Sequence, residues 1–156
     1  MTMRKVVVGV IFTREKNVKF LVLYRKLGWH GWEFPKGGIE KQDLTEEHAL
    51  KREIKEETSL ENIRILDKLP YTIKYFYPKA YKNNYKHEGT EQAVFLVRAF
   101  STDIKLSTEH GRYKWLAYEK ARAALKWPNQ RKALDIAWKQ IKEMDKIPKD
   151  VKYITS

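Results

Sequence analysis

Two long apolar runs constrain the fold of this chain more than any other feature. The segments "VVVGVIF" (Val6–Phe12) and "FLVLYR" (Phe20–Arg25) are rich in β-branched and large aliphatic residues, with almost no polar interruption. Uninterrupted runs of this kind are typical of strands buried in the middle of a sheet, and the polar "TREKNVK" between them predicts a turn. The chain therefore needs a sheet whose core is covered by other layers.

The remaining segments predict those layers. A helix is expected from an N-cap at Thr45 to about Thr58, because nothing in between breaks it. The segments "NIRILDKL", "YTIKYFY", "EQAVFLVRAF" and "GRYKWLAY" are expected to be strands, with a short strand near Trp32–Phe34. Tyr118–Lys126 predicts a short helix, and a longer amphipathic helix begins at Pro128. We therefore predict an α/β (α+β) domain with a mixed β-sheet between helices.

Composition narrows the class of protein. A chain of 156 residues, 42% hydrophobic and 33% charged, fits one globular domain, and no apolar run reaches membrane-spanning length. The absence of cysteine excludes disulfides and thiolate metal sites and fits a cytoplasmic location. The net charge of +12 predicts attraction to polyanions such as nucleotides or nucleic acid, the alternative being a lysine-rich solvated surface.

The first expected helix carries carboxylates where a helix disfavours them. Glu53, Glu56 and Glu57 share one face, and the last two lie in the final turn, where the macrodipole favours cations. One explanation is a solvated helix with ion pairs such as Arg52 with Glu56. The other is a divalent cation, since Mg²⁺ takes carboxylate oxygens and is often shared with substrate phosphates. The preceding "PKGG", with Lys36 as a phosphate-seeking charge, fits the second explanation.

The segment "GGIEKQDLTEEHALKREIKEETSL" (Gly37–Leu60) resembles the Nudix box, G-x(5)-E-x(7)-R-E-U-x-E-E-x-G-U, in which U is aliphatic. The first box glycine falls on Gly38, and the R-E-U-x-E-E core falls on residues 52–57. This resemblance implies an α/β/α sandwich and Mg²⁺-dependent hydrolysis of a nucleoside diphosphate linked to another group.

Two positions depart from the box. Leu44 stands where the box has its first glutamate, which in the family supports the loop and helix, and Glu40 or Glu47 are the carboxylates that could substitute. Ser59 stands where a glycine usually ends the helix in a left-handed conformation. A serine in that conformation costs about 1 kcal/mol or forces another cap.

The resemblance also implies roles for individual residues. The implied ligands of Mg²⁺, with Mn²⁺ as a substitute, are the side chains of Glu53, Glu56 and Glu57 and the carbonyl of Gly38. Glu53 is the first choice for the general base. Arg52 would pair with the carboxylates and fix their orientation. Lys36 would hold a phosphate, the alternative being an ordinary surface lysine.

Flanking segments bear on the substrate. "GWEFPKG" resembles the W-x-x-P-K-G entry of diadenosine tetraphosphate hydrolases and mRNA-decapping Nudix enzymes, and Leu106–Ala137 is similar to the L-S-x-E-H-x-x-Y-x-W-L-x-x-E-E-A segment of asymmetrical dinucleoside-tetraphosphate hydrolases. In that segment Glu109 is a candidate fourth metal ligand, or else a loop carboxylate paired with a lysine. Side chains that could stack on a base or follow a phosphate chain are those of His30, Tyr77, Lys82, Lys86 and Tyr113. For the stretch "YFYPKAYKNNYK", which contains Tyr77 and Lys82, the alternative is a strand with alternating aromatics and a solvated loop, and for any single residue this alternative is the better account.

Three functions follow as hypotheses. The leading one is hydrolysis of diadenosine tetraphosphate to ATP and AMP, and the second is a Nudix pyrophosphohydrolase acting on RNA 5′ ends or nucleoside triphosphates. The third, motivated by Leu44, is a weakly active module that binds nucleotide or RNA. We expect residues 1–147 to form a single Nudix hydrolase domain followed by a short tail at 148–156, acting without a membrane as a monomer or homodimer.

Overall fold

A computed structural model describes residues 2–79 and 86–146 of the chain. Seven strands and three helices are present in this part. In chain order they are β1 (Met3–Thr13), β2 (Lys19–Arg25), β3 (Gly31–Glu33), β4 (Lys36–Gly38), α1 (Glu46–Thr58), β5 (Ile63–Phe76), β6 (Gly89–Ala99), β7 (His110–Leu116), α2 (Tyr118–Ala124) and α3 (Pro128–Asp145).

The strands form one mixed sheet in the order β3-β2-β1-β6-β5, with β4 pairing with β1 and β7 pairing with β2. The pairing of β1 with β6 is parallel, and the other pairings are antiparallel. Since both apolar runs predicted as buried strands lie at the centre of this order, the sheet has two covered faces.

The alternation of side chains along β1 divides the core between these faces. Val8, Val10 and Phe12 pack in a cluster that includes apolar residues of α2 and α3. Val7 and Ile11 point the other way, into a cluster with the apolar residues of α1. Helices therefore cover both faces, and the predicted mixed sheet between helices is confirmed.

Helix α1 begins where the sequence predicts. The Thr45 hydroxyl accepts a hydrogen bond from the His48 backbone N–H at 3.0 Å and caps the helix. Leu50 and Ile54 are buried against the sheet, and a Cβ at Gly9 would lie only 3.4 Å from each of them. The helix therefore packs closely on β1, which fixes the position of its carboxylate face.

Three predicted elements differ from the observed ones. The segment Lys36–Gly38, for which the sequence predicts no strand, forms β4, because its backbone pairs with Val6 to Val8 of β1. The two strands predicted on either side of Pro70 are one strand, β5, whose register with β6 shifts between Lys68 and Thr72. A strand at the sheet border tolerates proline, because it lacks a neighbour on one side. Helix α2 ends at Ala124, two residues earlier than expected.

The predicted boundary between residues 147 and 148 and the predicted tail at 148–156 lie outside the described residues. None of the helices in residues 2–79 and 86–146 has the length and apolarity that a membrane crossing requires.

Candidate active site

Strand β4 lies beside the carboxylates of α1. Gly37 and Gly38 pair with Val7 and Val6 of β1, which places them directly under the helix. The carboxylate of Glu53 occupies the space above Gly37, where an added Cβ would lie 1.9 Å from the Glu53 Cδ. The glycine therefore allows the Glu53 side chain to lie against the strand in this position.

Arg52 gathers the carboxylates on one side of the helix. Its guanidinium donates hydrogen bonds to both oxygens of Asp43, at 2.7 and 3.0 Å, to Glu53 at 2.9 Å and to the Gly38 carbonyl at 3.0 Å. It also forms an ion pair with Glu56 at 3.4 Å. Hydrogen bonding by Arg52 lowers the pKa of Asp43 to about 2, and the Asp43 side chain is inaccessible to solvent.

The remaining carboxylate, Glu57, has no such partner. It is buried, and its Oε2 atom accepts no hydrogen bond, although the backbone N–H of Lys36 donates to its carboxylate. Burial raises the pKa of Glu57 to about 9, and the neighbouring Glu33, Glu53 and Glu109 contribute to this rise. Burial also raises the pKa of Glu53, against the opposing effect of Arg52. Acidic groups thus concentrate around Glu57, and their proximity disfavours the charged form of its carboxylate.

A second buried carboxylate, Glu33, lies behind Glu57. Glu33 is paired with Leu23 across β2 and β3, and its carboxylate is 2.8 Å from the His110 Nε2 atom. Arg25 lies 3.4 Å and the Lys36 ammonium 3.8 Å from the same carboxylate. The Lys36 ammonium therefore lies next to Glu33, while its backbone N–H donates to Glu57.

The set of donors suits a hard divalent cation, but it is not arranged as a finished metal site. In the part of the chain that the structure describes, no group of three or more His, Asp or Glu side chains is positioned to hold a metal ion. Glu53 and Glu56 turn toward Arg52 instead. The free oxygen of Glu57, buried among three other carboxylates, is nevertheless the kind of hard oxygen ligand that Mg²⁺ binds. The residues present therefore fit the ion.

The residues predicted to bind substrate are spread over the domain. Tyr113 pairs with Leu23, as Glu33 does, so it lies on the face of the sheet that α1 covers, and it is partly exposed. His30 is exposed, and its backbone carbonyl accepts a hydrogen bond from the Lys126 ammonium at 3.0 Å. Tyr77 and Lys86 lie at the far end of β5 and β6, where Tyr77 packs edge-on against Tyr75. Lys82 lies outside the described residues.

The sequence interpretation missed two site residues. Glu33 is a single acidic residue in an aromatic stretch, and only the pairing of β3 with β2 reveals its burial. Asp43 is adjacent to the departure at Leu44, and both of its carboxylate oxygens accept hydrogen bonds from Arg52. Leu44 itself is 88% exposed. A carboxylate one residue away from the expected position was a signal that could have identified Asp43.

Comparisons with known proteins identify the kind of domain. A family model described as the NUDIX domain matches residues 3–135. The chain is 36% identical to an RNA pyrophosphohydrolase of a Nitratiruptor species over 67% of this chain and 70% of that protein. It is 38% identical to an RNA pyrophosphohydrolase of a Sulfurovum species over 53% of each chain, so it spans about half the length of that relative.

Solved structures agree on the fold. An Ap4A hydrolase of C. elegans in a binary complex superimposes with a TM-score of 0.77 at 23% identity, over 90% of this chain and 99% of that one. A NUDIX hydrolase of Listeria monocytogenes superimposes with a TM-score of 0.74 at 27% identity, over 90% of this chain and 95% of that one. The architecture built from the sequence is therefore that of these proteins.

Proposed function

The chain belongs to the NUDIX hydrolase family, and on that premise we propose that it cleaves a phosphoanhydride bond of a nucleotide substrate with the help of Mg²⁺. Nudix hydrolases generally use divalent metal ions such as Mg²⁺. The observation that carries the proposal is Glu57, a buried carboxylate with an unbonded oxygen among three other carboxylates. Such a group gains a partner when a dication binds, and a hydrophobic side chain would serve better if the position were only structural.

The proposed ligands are oxygens of Glu53, Glu56, Glu57, Glu109 and the Gly38 carbonyl. Bound Mg²⁺ supplies Lewis acidity at phosphate oxygens and lowers the pKa of a bound water. As ligands, Glu53 and Glu56 would turn away from Arg52, which would keep its two hydrogen bonds to Asp43 and remain an orienting residue. Glu53 then accepts the proton of the attacking water as general base. Lys36, anchored beside Glu33, holds a phosphate of the substrate.

One candidate substrate is diadenosine tetraphosphate, cleaved to ATP and AMP. We call the neighbouring carboxylates of Glu33, Glu53 and Glu57 the acidic cluster. The support for this substrate is the segment that begins at Leu106, which is similar to asymmetrical dinucleoside-tetraphosphate hydrolases, because two of its residues lie next to the acidic cluster. Glu109 is close enough to raise the pKa of Glu57, and His110 contacts Glu33. This segment thus contributes to the acidic cluster from outside the Nudix box.

The other candidate substrate is the 5′ end of RNA. Its support is the identity of 36% and 38% with two proteins named RNA pyrophosphohydrolase, together with the net charge of +12. The two candidates share the acidic cluster and the chemistry at phosphorus. They differ in what lies beyond the phosphates, either a single nucleoside or a polynucleotide chain.

One assay tests the activity and separates the candidates. The protein is incubated with Mg²⁺ and matched concentrations of diadenosine tetraphosphate and 5′-triphosphorylated RNA, and the products are resolved over time. ATP with AMP supports the first candidate, and faster formation of monophosphorylated RNA supports the second. The Glu53→Gln variant is the control, and we expect it to be slower by roughly 10²–10⁴-fold, the range for loss of a general base. No cleavage of either substrate or of nucleoside triphosphates would contradict the proposal.

The same variant addresses the third hypothesis, a weakly active binding module. A binding module would keep its nucleotide affinity after Glu53→Gln and would have little turnover to lose. The feature that motivated it, Leu44, is offset by the Asp43 contact with Arg52. We therefore place this hypothesis after the two hydrolytic ones.

A further inference from the structure

A group of cations and aromatic rings lies on the face of the sheet opposite the acidic cluster. Tyr24 pairs with Trp32 of β3 on one side and with Arg112 of β7 on the other, so these three side chains share a face. The Arg112 guanidinium lies 4.4 Å from the centre of the Tyr24 ring, and the Lys114 ammonium lies 5.2 Å from that of Trp32. We call Tyr24, Trp32, Arg112 and Lys114 the cation–aromatic surface.

The charge of this surface is not neutralised by the protein. Arg112 and Lys114 are exposed, and neither forms an ion pair with a carboxylate in the part of the chain that the structure describes. Arginines on other surfaces do find such partners, as Arg122 does with Asp135 at 2.9 Å. The ring contacts hold both cations in defined positions, which reduces the entropy lost when an anion binds.

The surface and the acidic cluster are joined through β7. His110 contacts Glu33 on the α1 side, while Arg112 and Lys114 point to the other side, because the register with β2 shifts between Tyr24 and Arg25. Among the described residues β7 pairs only with β2, so its outer edge is open. A ligand that enters the acidic cluster past Glu109 and continues beyond it can cross this edge and reach Arg112.

We propose that the cation–aromatic surface binds the backbone phosphates of a single-stranded RNA whose 5′ end occupies the acidic cluster. The inference rests on the second candidate substrate of the proposed function. Fixed, unpaired cations suit the regularly spaced charges of a polynucleotide, and the partly buried rings beneath them leave the ammonium and guanidinium groups facing outward. A mononucleotide or dinucleotide bound by the carboxylates has no backbone phosphate left to contact them.

Direct binding tests the surface without relying on turnover. Glu53→Gln provides a background that consumes substrate roughly 10²–10⁴-fold more slowly. A 5′-triphosphorylated single-stranded RNA of about ten nucleotides, labelled at its 3′ end, is titrated in this background by fluorescence anisotropy at several salt concentrations. We expect Arg112→Gln/Lys114→Gln to bind at least about tenfold more weakly and to lower the salt slope by about 1 to 2, because each phosphate contact contributes about 0.7 to 0.9.

The matched control is Lys132→Gln/Lys142→Gln. These two lysines of α3 also lie over aromatic rings, Tyr71 at 5.1 Å and Trp138 at 5.7 Å, and their loss removes the same charge. Weaker RNA binding in the β7 pair alone supports the proposal. An equal loss in both pairs, or no loss in the β7 pair, overturns it.

Turnover then distinguishes this proposal from the proposed function. In the otherwise natural chain, Arg112→Gln/Lys114→Gln should leave cleavage of a short substrate within twofold of the unaltered protein, which also shows that the variant folds. If RNA is bound through the surface but its 5′ end is not hydrolysed, the RNA activity fails and the surface stands. If RNA is hydrolysed and the β7 pair has no effect on its binding, the surface fails and the activity stands.

Discussion

Asp43 and Glu57 are two carboxylates of the same loop-and-helix segment whose side chains are shielded from solvent, and their surroundings shift their pKa values in opposite directions. Asp43, just before α1, receives two hydrogen bonds from Arg52, which lower its pKa to about 2. Glu57, in the last turn of α1, has an unbonded oxygen and carboxylate neighbours, and its pKa rises to about 9.

The difference shows at which end of the Nudix-box segment the protein itself supplies the charge that balances a carboxylate. At Asp43 the chain supplies its own cation, so the structure there is closed by an internal ion pair. At Glu57 the neighbouring Glu33, Glu53 and Glu109 raise the pKa, the backbone N–H of Lys36 opposes them, and the helix dipole adds to the unfavourable potential. The missing positive charge must come from a proton or from a ligand.

The largest effect is expected at Glu57, where the protein supplies no balancing charge. Glu57→Gln removes a negative ligand without changing size, so we expect Mg²⁺-dependent turnover to fall at least about 100-fold, the upper end of what loss of a residue that merely supports a metal ligand costs. Titration calorimetry with Mn²⁺ or Mg²⁺ alone should show a matching loss of affinity. Stability of the metal-free protein should not fall, because a neutral amide replaces a group that is already protonated at pH 7.

The control for Glu57→Gln is Glu61→Gln. Glu61 is an exposed glutamate paired with Lys55 at 3.0 Å, away from the cluster, and its loss should change turnover by less than twofold. If Glu57→Gln keeps full activity and metal affinity, the buried carboxylate is structural and the contrast with Asp43 has no functional meaning.

The pH dependence of stability should separate the two carboxylates. The pKa of Glu57 is about 9 in the folded protein against 4.5 in an unfolded chain, so between these pH values the folded state holds a proton that unfolding releases. The free energy of unfolding without metal should therefore fall as pH rises through this range, by up to about 1.4 kcal/mol per pH unit. The pKa of Asp43 is lowered from 3.8 to about 2, so its contribution is present above pH 3.8 and is lost as pH falls through 2.

Urea unfolding in the presence of a chelator measures this profile. Saturating Mg²⁺ should flatten the decline above pH 4.5, because the ion holds Glu57 in its charged form. Glu57→Gln should flatten it without metal. A decline that persists unchanged in Glu57→Gln would assign the proton to another group.

Removing Arg52 from its ion pair with Asp43 should lower the stability of the fold. Arg52→Ala leaves the Asp43 carboxylate, which is inaccessible to solvent, without its cation, and we expect urea unfolding to show a lower free energy of unfolding than in the unaltered protein. The double variant Arg52→Ala/Asp43→Ala should recover part of this loss, since no unpaired charge remains. Equal losses in the single and double variants would mean that Arg52 stabilises the fold through its other contacts.

The contact between Arg52 and Asp43 is harder to predict from sequence than the carboxylates of α1. The carboxylates of α1 are recognisable because helical spacing is local, and the Thr45 cap and the buried Leu50 and Ile54 follow from the same pattern. The pairing of Arg52 with Glu53 and Glu56 follows from this spacing too, but its contact with Asp43 does not. The position of Asp43 depends on how the loop between β4 and α1 folds back. Of the two carboxylates that the sequence suggested there, Glu40 lies 3.5 Å from the Arg52 guanidinium, whereas Asp43 lies at 2.7 Å.

Long-range pairing explains the other omissions. Strand β4 contains two glycines and one lysine and has no strand pattern of its own, so only its pairing with β1 defines it. Glu33 is similar, because its burial arises where β3 meets β2 and β7 supplies His110. The apolar runs of β1 and β2, by contrast, indicate their burial residue by residue. The central layer was therefore predictable, and the contacts at its border were not.

A smaller effect is expected at the end of α1. Ser59 adopts a left-handed conformation with φ of 66°, and its hydroxyl donates to the Lys105 carbonyl at 2.9 Å. Ser59→Ala keeps the strain and loses the bond, whereas Ser59→Gly loses the bond and relieves the strain. Chemical denaturation should therefore find the glycine variant about 1 kcal/mol more stable than the alanine variant. Equal stabilities would mean that the left-handed conformation carries no cost here.

The smallest effect is expected where the chain departs from the box. Leu44→Glu restores the box residue, yet the Leu44 side chain is 88% exposed and Arg52 already holds Asp43 at 2.7 Å. We expect stability within about 0.5 kcal/mol of the unaltered protein, as for most surface substitutions, and turnover within twofold. A tenfold gain in turnover would mean that Asp43 does not replace the box glutamate and that this end of the segment is also incomplete. Small effects in Leu44→Glu, alongside a large loss in Glu57→Gln, would confine the requirement for an external cation to the last turn of α1.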